Sequence, residues 1–297
     1  MIDFIKARII NTNEQILLTN DLLNFTQTSK INDTTNKKEV IRKQAKYRAI
    51  TITIFKNNQI IISGSLHKYF AHMMDIKAPI ASNKKNDFNG FDFKYSMLVK
   101  VLDDLKNKFK IPLENYVLQN IEFGVNIKPP IASNLILDNL ILHNGISFIE
   151  PIKNYKQADH FEYKIKIYDK AKQYQLNEPC IRIENKYVKM RKANKMGIYN
   201  LSHLGNLKIL DKLQVDLLER FNEILIYDAT IDKSKLTQRQ KIKLKDYCNS
   251  NYWLSLKSTN RHRPKQRYLS IVKNHSTDIK ETLFEIIEDK THYLISA

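Results

Sequence analysis

The chain has little cysteine, little glycine and no long apolar run. Its two cysteines, Cys180 and Cys248, make neither a disulfide framework nor a zinc site by themselves, so both are expected to be reduced in a cytosol-like compartment. No segment approaches the roughly 20 apolar residues needed to cross a bilayer, and the opening MIDFIKARII lacks the apolar stretch of a leader. The expectation is a soluble, cytoplasmic protein. With only 6 glycines, the richness in Asn, Lys and Ile reflects an AT-biased genome, which concerns codons rather than chemistry. Acidic residues are also scarce: 31 Asp and Glu face 49 Lys and Arg, a net charge of +18. The excess is +6 over residues 1–150 and +12 over 151–297, and nucleic acid is the partner such a field most often serves.

What is present is the composition of a folded protein, 42% hydrophobic and 10% aromatic. Residues 3–10 read as a strand, followed by a polar stretch from Asn11 to about Lys46 with weak periodicity. Two β-branched runs, RAITITIF (48–55) and QIIISGSL (59–66), flank the turn formers Asn57 and Asn58 and predict a hairpin. A loop rich in Asn, Lys and Asp is expected over 75–92. Met97, Leu98, Val101, Leu102 and Leu105 recur at helical spacing and predict a helix over 95–109. YVLQNIEFGVN (116–126) predicts a strand, Pro129 and Pro130 a helix start carrying Ile136, Leu140 and Ile141, and GISFIE (145–150) a short strand. The segments 161–169 and 179–186 predict a further antiparallel pair. From Met196 the period changes: Leu210, Leu213, Leu217, Phe221 and Ile224 mark one helix, Thr237 with Gln240 a capping box before a second, and Ser276 the start of a third. The fold class expected is α+β, a mainly antiparallel sheet with flanking helices followed by a helical C-terminal region. Its parts are an α+β body over 1–195 and a basic helical region over 196–297, with no internal repeat and no long linker.

At period 2, FEYKIKIYDK (161–170) places Phe161, Tyr163, Ile165 and Ile167 on one face and Glu162, Lys164, Lys166, Tyr168 and Lys170 on the other. A phenol among cations has little to pack against and is placed to meet a polyanion. Polar faces on the other strands carry Asn120, Glu122, Gly124 and Asn126; Cys180, Arg182, Glu184 and Lys186; and Ser63, Ser65 and His67. Sheet neighbours with these faces aligned would gather His67, Glu122, Tyr168, Lys170 and Glu184. Such a set suits phosphodiester transfer. Carboxylates and an imidazole hold Mg²⁺ or Mn²⁺, a tyrosine attacks phosphorus, and a lysine supplies a point charge for phosphate or phenolate. Against this stand ordinary alternatives: most tyrosines pack or lie at the surface, carboxylates on sheets are more often solvated or ion-paired, and His72, His143 and His203 are as unexplained as His67.

The ordered pieces MIDFIKARI, ISGSLHKY, NIEFGVNI, KIYDKAKQY, CIRIENKYVK, and YW before a basic segment resemble the filamentous-phage gene II replication initiators and related plasmid rolling-circle initiators. The resemblance implies an initiator-nuclease fold and a metal-dependent tyrosine endonuclease and ligase. Such an enzyme nicks one strand at a replication origin, single-stranded or melted into a hairpin, and rejoins it through a 5′-phosphotyrosine. It also implies a bacterial host cytoplasm, with host helicase and polymerase as further partners. The family pattern tyrosine, any residue, lysine falls on Tyr168-Asp169-Lys170. Its acidic positions fall on Glu122, within Asn120-Ile121-Glu122, and on Glu184 after Arg182 and Ile183. The better-known initiator nucleases use a His-apolar-His pair that is absent here; the expected ligands of Mg²⁺ or Mn²⁺ are His67 with Glu122 and Glu184, or the two carboxylates alone. A second strand transfer would draw on Tyr163, on Tyr174 or on neither.

The residues expected to contact DNA are Lys164, Lys166, Arg182, Lys186, Lys189, Arg191 and Lys192 of the body and Arg261, Arg263 and Arg267 of the tail. Tyr247, Tyr252 and Trp253 are interleaved with the basic tail, either to stack on unpaired bases or, as expected for Trp253, to enter a core. The competing function is a non-catalytic DNA- or RNA-binding regulator of replication or copy number.

Overall fold

The computed structural model describes residues 1–31, 36, 38–80, 82 and 87–297. In chain order the elements begin with strand β1 (Ile2–Ile9), helix α1 (Gln15–Leu18), β2 (Thr26–Ile31), β3 (Lys38–Tyr47), β4 (Ile50–Phe55), β5 (Ile60–Ser65), α2 (Leu66–Met73) and α3 (Tyr95–Phe109). They continue with β6 (Tyr116–Ile127), α4 (Ser133–Leu137), β7 (Leu140–His143), β8 (Ile146–Ser147), β9 (Ile149–Ile152), β10 (Tyr155–Asp159), β11 (Tyr163–Asp169), α5 (Lys170–Tyr174) and β12 (Ile181–Tyr187). The remainder is α6 (Arg191–Lys195), α7 (Leu207–Asn222), β13 (Ile224–Ile226), α8 (Gln238–Tyr247), α9 (Ser250–Ser255), α10 (His262–His275) and α11 (Ile279–Ser296). The fold class is α+β, with a helical C-terminal region. Part of the loop expected over 75–92 lies outside the described residues.

Two compact units form from interleaved segments. The first contains Met1–Gly124, Lys186–Leu213 and His292–Ala297, and the second Val125–Asn185 and Gln214–Thr291. The helical region after residue 195 therefore contributes to both.

In the first unit the strands run in the order β2-β3-β4-β5-β1-β6, and their pairings are antiparallel. The β4–β5 hairpin forms at Asn57 and Asn58 as its turn formers predict, with Asn58 in the left-handed conformation at φ 58°. Strands β2 and β3 were not anticipated. β2 is exposed along nearly its whole length, so no apolar alternation announces it; its pairing with β3 supplies the order instead. Helix α3 buries Leu98, Val101, Leu102, Leu105 and Phe109, each such side chain contributing roughly 1.5–3 kcal/mol of transfer free energy. Gly64, opposite Ile50 and Ile5, has the carbonyl oxygen of Ala49 2.1 Å from where a Cβ would stand. No side chain fits there.

The second unit has the order β12-β11-β10-β9 and a small sheet β13-β7-β8. β10 and β11 form an antiparallel hairpin in which Tyr155 faces Tyr168 and Gln157 faces Lys166. The helix expected after Pro130 is a single short one at 133–137, and Leu140 and Ile141 lie on β7 instead. The capping box at Thr237 forms with Gln240 as expected. At the start of α11 the Asp278 carboxylate accepts from the Glu281 N–H, while Ser276 Oγ accepts from Asp278 N–H. A cluster of Leu236, Leu244, Tyr247, Trp253, Tyr268, Ile271 and Val272 joins α8, α9 and α10. Trp253 is 1% exposed, as expected, and its indole N–H donates to the Tyr247 carbonyl.

Candidate active site

Alternation along β11 sends Ile165 and Ile167 inward and leaves Lys164, Lys166 and Tyr168 half-buried on the other side. Phe161 precedes the strand and is exposed, so the apolar face begins at residue 163 rather than 161. The strand stops at Asp169 because its carboxylate accepts from the Lys172 N–H at 2.8 Å and caps α5. Lys170 N–H and Ala171 N–H both donate to the Cys180 carbonyl, at 2.8 and 3.1 Å. This corner draws Lys170 into the protein, where it is 1% exposed. Its ammonium lies 4.9 Å from the Tyr168 ring centroid and 5.1 Å from that of Tyr174, within cation–π range of both.

Glu184 and Arg182 stand on β12, every residue of which except Lys186 is buried. Arg182 Nε donates to Glu184 Oε2 at 2.6 Å, and Arg182 Nη1 to Asn126 Oδ1 at 2.9 Å. Lys166 Nζ meets Glu184 Oε1 at 3.0 Å. The Tyr168 hydroxyl makes a long hydrogen bond to Glu184 Oε2 at 3.4 Å, and the Tyr155 ring lies 5.0 Å from the Tyr168 ring. The result is a connected series, Asn126 to Arg182 to Glu184 to Tyr168, with Lys166 and Lys170 beside it. A carboxylate fixed in this way lies beside the phenol, paired with Arg182 and Lys166. This arrangement suits removal of a phenol proton next to bound phosphate.

Of the residues proposed from the sequence, Tyr168, Lys170, Glu184, Arg182 and Lys166 come together. Glu122, 7% exposed, lies on β6 with its carboxylate 2.8 Å from Lys186 Nζ, and that lysine also lies 5.2 Å from the Phe4 ring. His67 is not at a strand end. Ser65 accepts from the Lys68 N–H and caps α2, which places His67 in the first helical turn, 1% exposed and 4.4 and 4.9 Å from the rings of Phe91 and Phe93. Among the described residues no three His, Cys, Asp or Glu side chains gather to hold a metal ion. Glu184 pairs with Arg182 and Lys166, and Glu122 with Lys186.

Lys164 pairs with Asp159 at 2.9 Å. Lys189 and Arg191 are exposed ahead of and within α6, and Lys192 is half-buried. Arg261 turns inward: its Nε donates to the Leu256 carbonyl at 3.1 Å, and its Nη1 lies 2.7 Å from where a Cβ on Gly145 would be. Arg263 and Arg267 are exposed on α10. Tyr174 is fully buried, and burial pushes the Tyr163 phenol up despite the opposing Arg220.

Sequence reasoning missed Asn126 as the partner of Arg182, and it missed Tyr155. It also missed a second polar cluster. His143 Nδ1 lies 2.8 Å from His160 Nε2, His160 stacks on Tyr163 at 4.4 Å, and the Arg220 guanidinium stands 3.4 Å from the Tyr163 ring centroid. Arg220 is paired with Asp216 at 2.8 Å. Burial, with His160 and Arg220 nearby, pushes His143 down to about 4. No local pattern joins these residues, because strand pairing and α7 bring them together.

No family model matches the chain, and no curated protein matches it. Among solved structures, a rolling circle replication initiator protein from Geobacillus stearothermophilus is similar at a TM-score of 0.40 and 12% identity, over 83% of this chain and 95% of that one.

Proposed function

We propose that the chain is a DNA strand transferase that initiates rolling-circle replication by nicking and rejoining one strand through Tyr168. The observation that carries this reading is the Tyr168 hydroxyl set against a carboxylate that Arg182 and Lys166 hold in place. The sequence resemblance to phage and plasmid initiators points to the same tyrosine.

In the proposed reaction Glu184 Oε2 accepts the phenol proton as the phenol oxygen attacks the scissile phosphorus. The bond from phosphorus to the 3′ oxygen breaks, and that oxygen takes a proton from solvent to leave a free 3′-hydroxyl. Lys166 and Lys170 offset the charge that builds on phosphate and phenolate. Attack by the 3′-hydroxyl of an incoming strand on the phosphotyrosine reverses these bonds and rejoins DNA. A divalent cation, Mg²⁺ or Mn²⁺, is part of the proposal as an added component of the reaction, and no step is assigned to it.

The second reading is a non-catalytic DNA-binding regulator, favoured by the engagement of both Glu184 oxygens with cations. Purified protein, a supercoiled circle bearing the source replicon's origin, and Mn²⁺ or Mg²⁺ separate the two. Relaxed circles with protein fixed to the 5′ end support the transferase, and metal-independent mobility shifts without cleavage support the regulator.

A further inference from the structure

Between Asp246 and Asp278 the chain has no carboxylate side chain but six Lys and Arg residues. Helix α10 lies within this stretch and is divided sharply into two faces. Tyr268, Ile271 and Val272 are buried in the cluster with Leu244, Tyr247 and Trp253. The Tyr268 hydroxyl donates to the Ile226 carbonyl at 2.8 Å and accepts from the Asp228 N–H at 2.7 Å. These bonds fix the rotation of α10 about its own axis.

The opposite face carries Arg263, Gln266, Arg267, Ser270, Lys273 and Asn274, all exposed. Their spacing places them on one stripe over three turns, about 16 Å long at 1.5 Å per residue. The side chains of Arg263 and Arg267 make no hydrogen bond or ion pair to protein among the described residues. The Asn274 amide nitrogen donates to the Ser270 carbonyl at 2.8 Å and lies 3.5 Å from Ser270 Oγ.

We infer that this face of α10 enters the major groove of double-stranded DNA and reads base sequence there. The inference rests on the reading of the substrate as DNA and names its duplex segment as a separate partner of the protein. A helix fits the roughly 12 Å width of that groove, where arginine pairs with guanine and glutamine or asparagine with adenine. A stripe meant only for phosphates has no use for Gln266, Ser270 and Asn274 between its cations.

Single strands are a poorer match. Their binding uses exposed aromatic platforms, whereas Tyr247, Trp253 and Tyr268 are each 2% exposed or less. Duplex RNA is poorer still, because its major groove is too deep and narrow for side chains to read.

The test is selection of duplexes from a random pool by the full-length protein, followed by fluorescence anisotropy on the selected duplex, its single strands and the corresponding RNA duplex. A short duplex motif is expected to emerge. The double substitution Gln266→Ala and Arg267→Ala should lower the preference for it over random duplex tenfold or more. Arg267→Lys keeps the charge and should keep random-duplex affinity while losing preference at one base pair. Selection without enrichment, equal or tighter binding to single strands or RNA, or an unchanged motif with the variants would overturn the inference. Motif selection by a protein that never nicks would defeat the strand-transferase reading and leave this one standing; nicking at one origin by a parent protein that enriches no duplex motif would do the reverse.

Discussion

The Tyr168 hydroxyl and Glu184 Oε2 lie 3.4 Å apart, and the same carboxylate oxygen receives Arg182 Nε at 2.6 Å. That carboxylate oxygen is thus held by a buried guanidinium.

Removing the phenol oxygen while keeping the ring tests the nucleophile directly. Tyr168→Phe keeps the ring against that of Tyr155 and within reach of the Lys170 ammonium. DNA affinity should change less than twofold, and no covalent adduct to a labelled oligonucleotide should form. Nicking equal to that of the parent would remove Tyr168 from the reaction.

Glu184→Gln separates proton transfer from binding. Single-turnover nicking should fall by about a hundredfold or more, while affinity for random DNA should rise because Arg182 and Lys166 lose their counter-charge. A variant that nicks at the parental rate would show that the carboxylate takes no proton.

Arg182→Met removes the guanidinium 2.6 Å from the buried Glu184 and leaves Lys166 beside it. Breaking a buried pair from one side costs about 3–5 kcal/mol, which urea denaturation would read directly. A loss below about 1 kcal/mol would mean that the series from Asn126 to Tyr168 adds little to the fold.

His143, held down to about 4, makes stability depend on pH. The unfolded imidazole takes a proton near pH 6.5, whereas the folded one resists until about 4. The stabilisation from keeping it neutral is therefore full above pH 6.5 and is lost as pH falls toward 4, to the extent of roughly 3 kcal/mol. His160 is lowered as well and acts in the same direction. The difference in stability between parent and His143→Gln should shrink over that window; a constant difference would refute the assignment.

Gly64→Ala is expected to cost about 3 kcal/mol or more, because the new methyl meets the Ala49 carbonyl. The thermal midpoint of the first unit measures this, and an unshifted midpoint would show that the β4–β5 hairpin can open to admit a side chain.

The helices at 95–109 and 207–222, the Asn57-Asn58 hairpin and the burial of Trp253 are legible in the sequence because period and turn chemistry are local. Tyr168, Lys166 and Glu184 could be placed on polar strand faces for the same reason. The meeting of Tyr168, Lys170 and Glu184 follows from aligned polar faces, but the burial does not, since a two-face reading assumes one wet face, and β12 is buried on both. Arg182 and Glu184 therefore look solvated in the sequence and are nearly inaccessible in the fold. His67 was misplaced because the Ser65 cap competes with the strand pattern leading into it. Strands β2 and β3 escaped notice because polar strands near an edge carry little apolar periodicity.

The change from β11 to α5 between Asp169 and Lys170 makes the tripeptide Tyr168-Asp169-Lys170 a property of a corner. In a straight strand its first and last side chains would stand side by side, about 7 Å apart, and the ammonium would not sit beneath the ring. Grafting the three residues into another protein's sheet would transplant the letters without the geometry. A working graft must also carry the carboxylate cap and a carbonyl in the place of that of Cys180 to bend the chain.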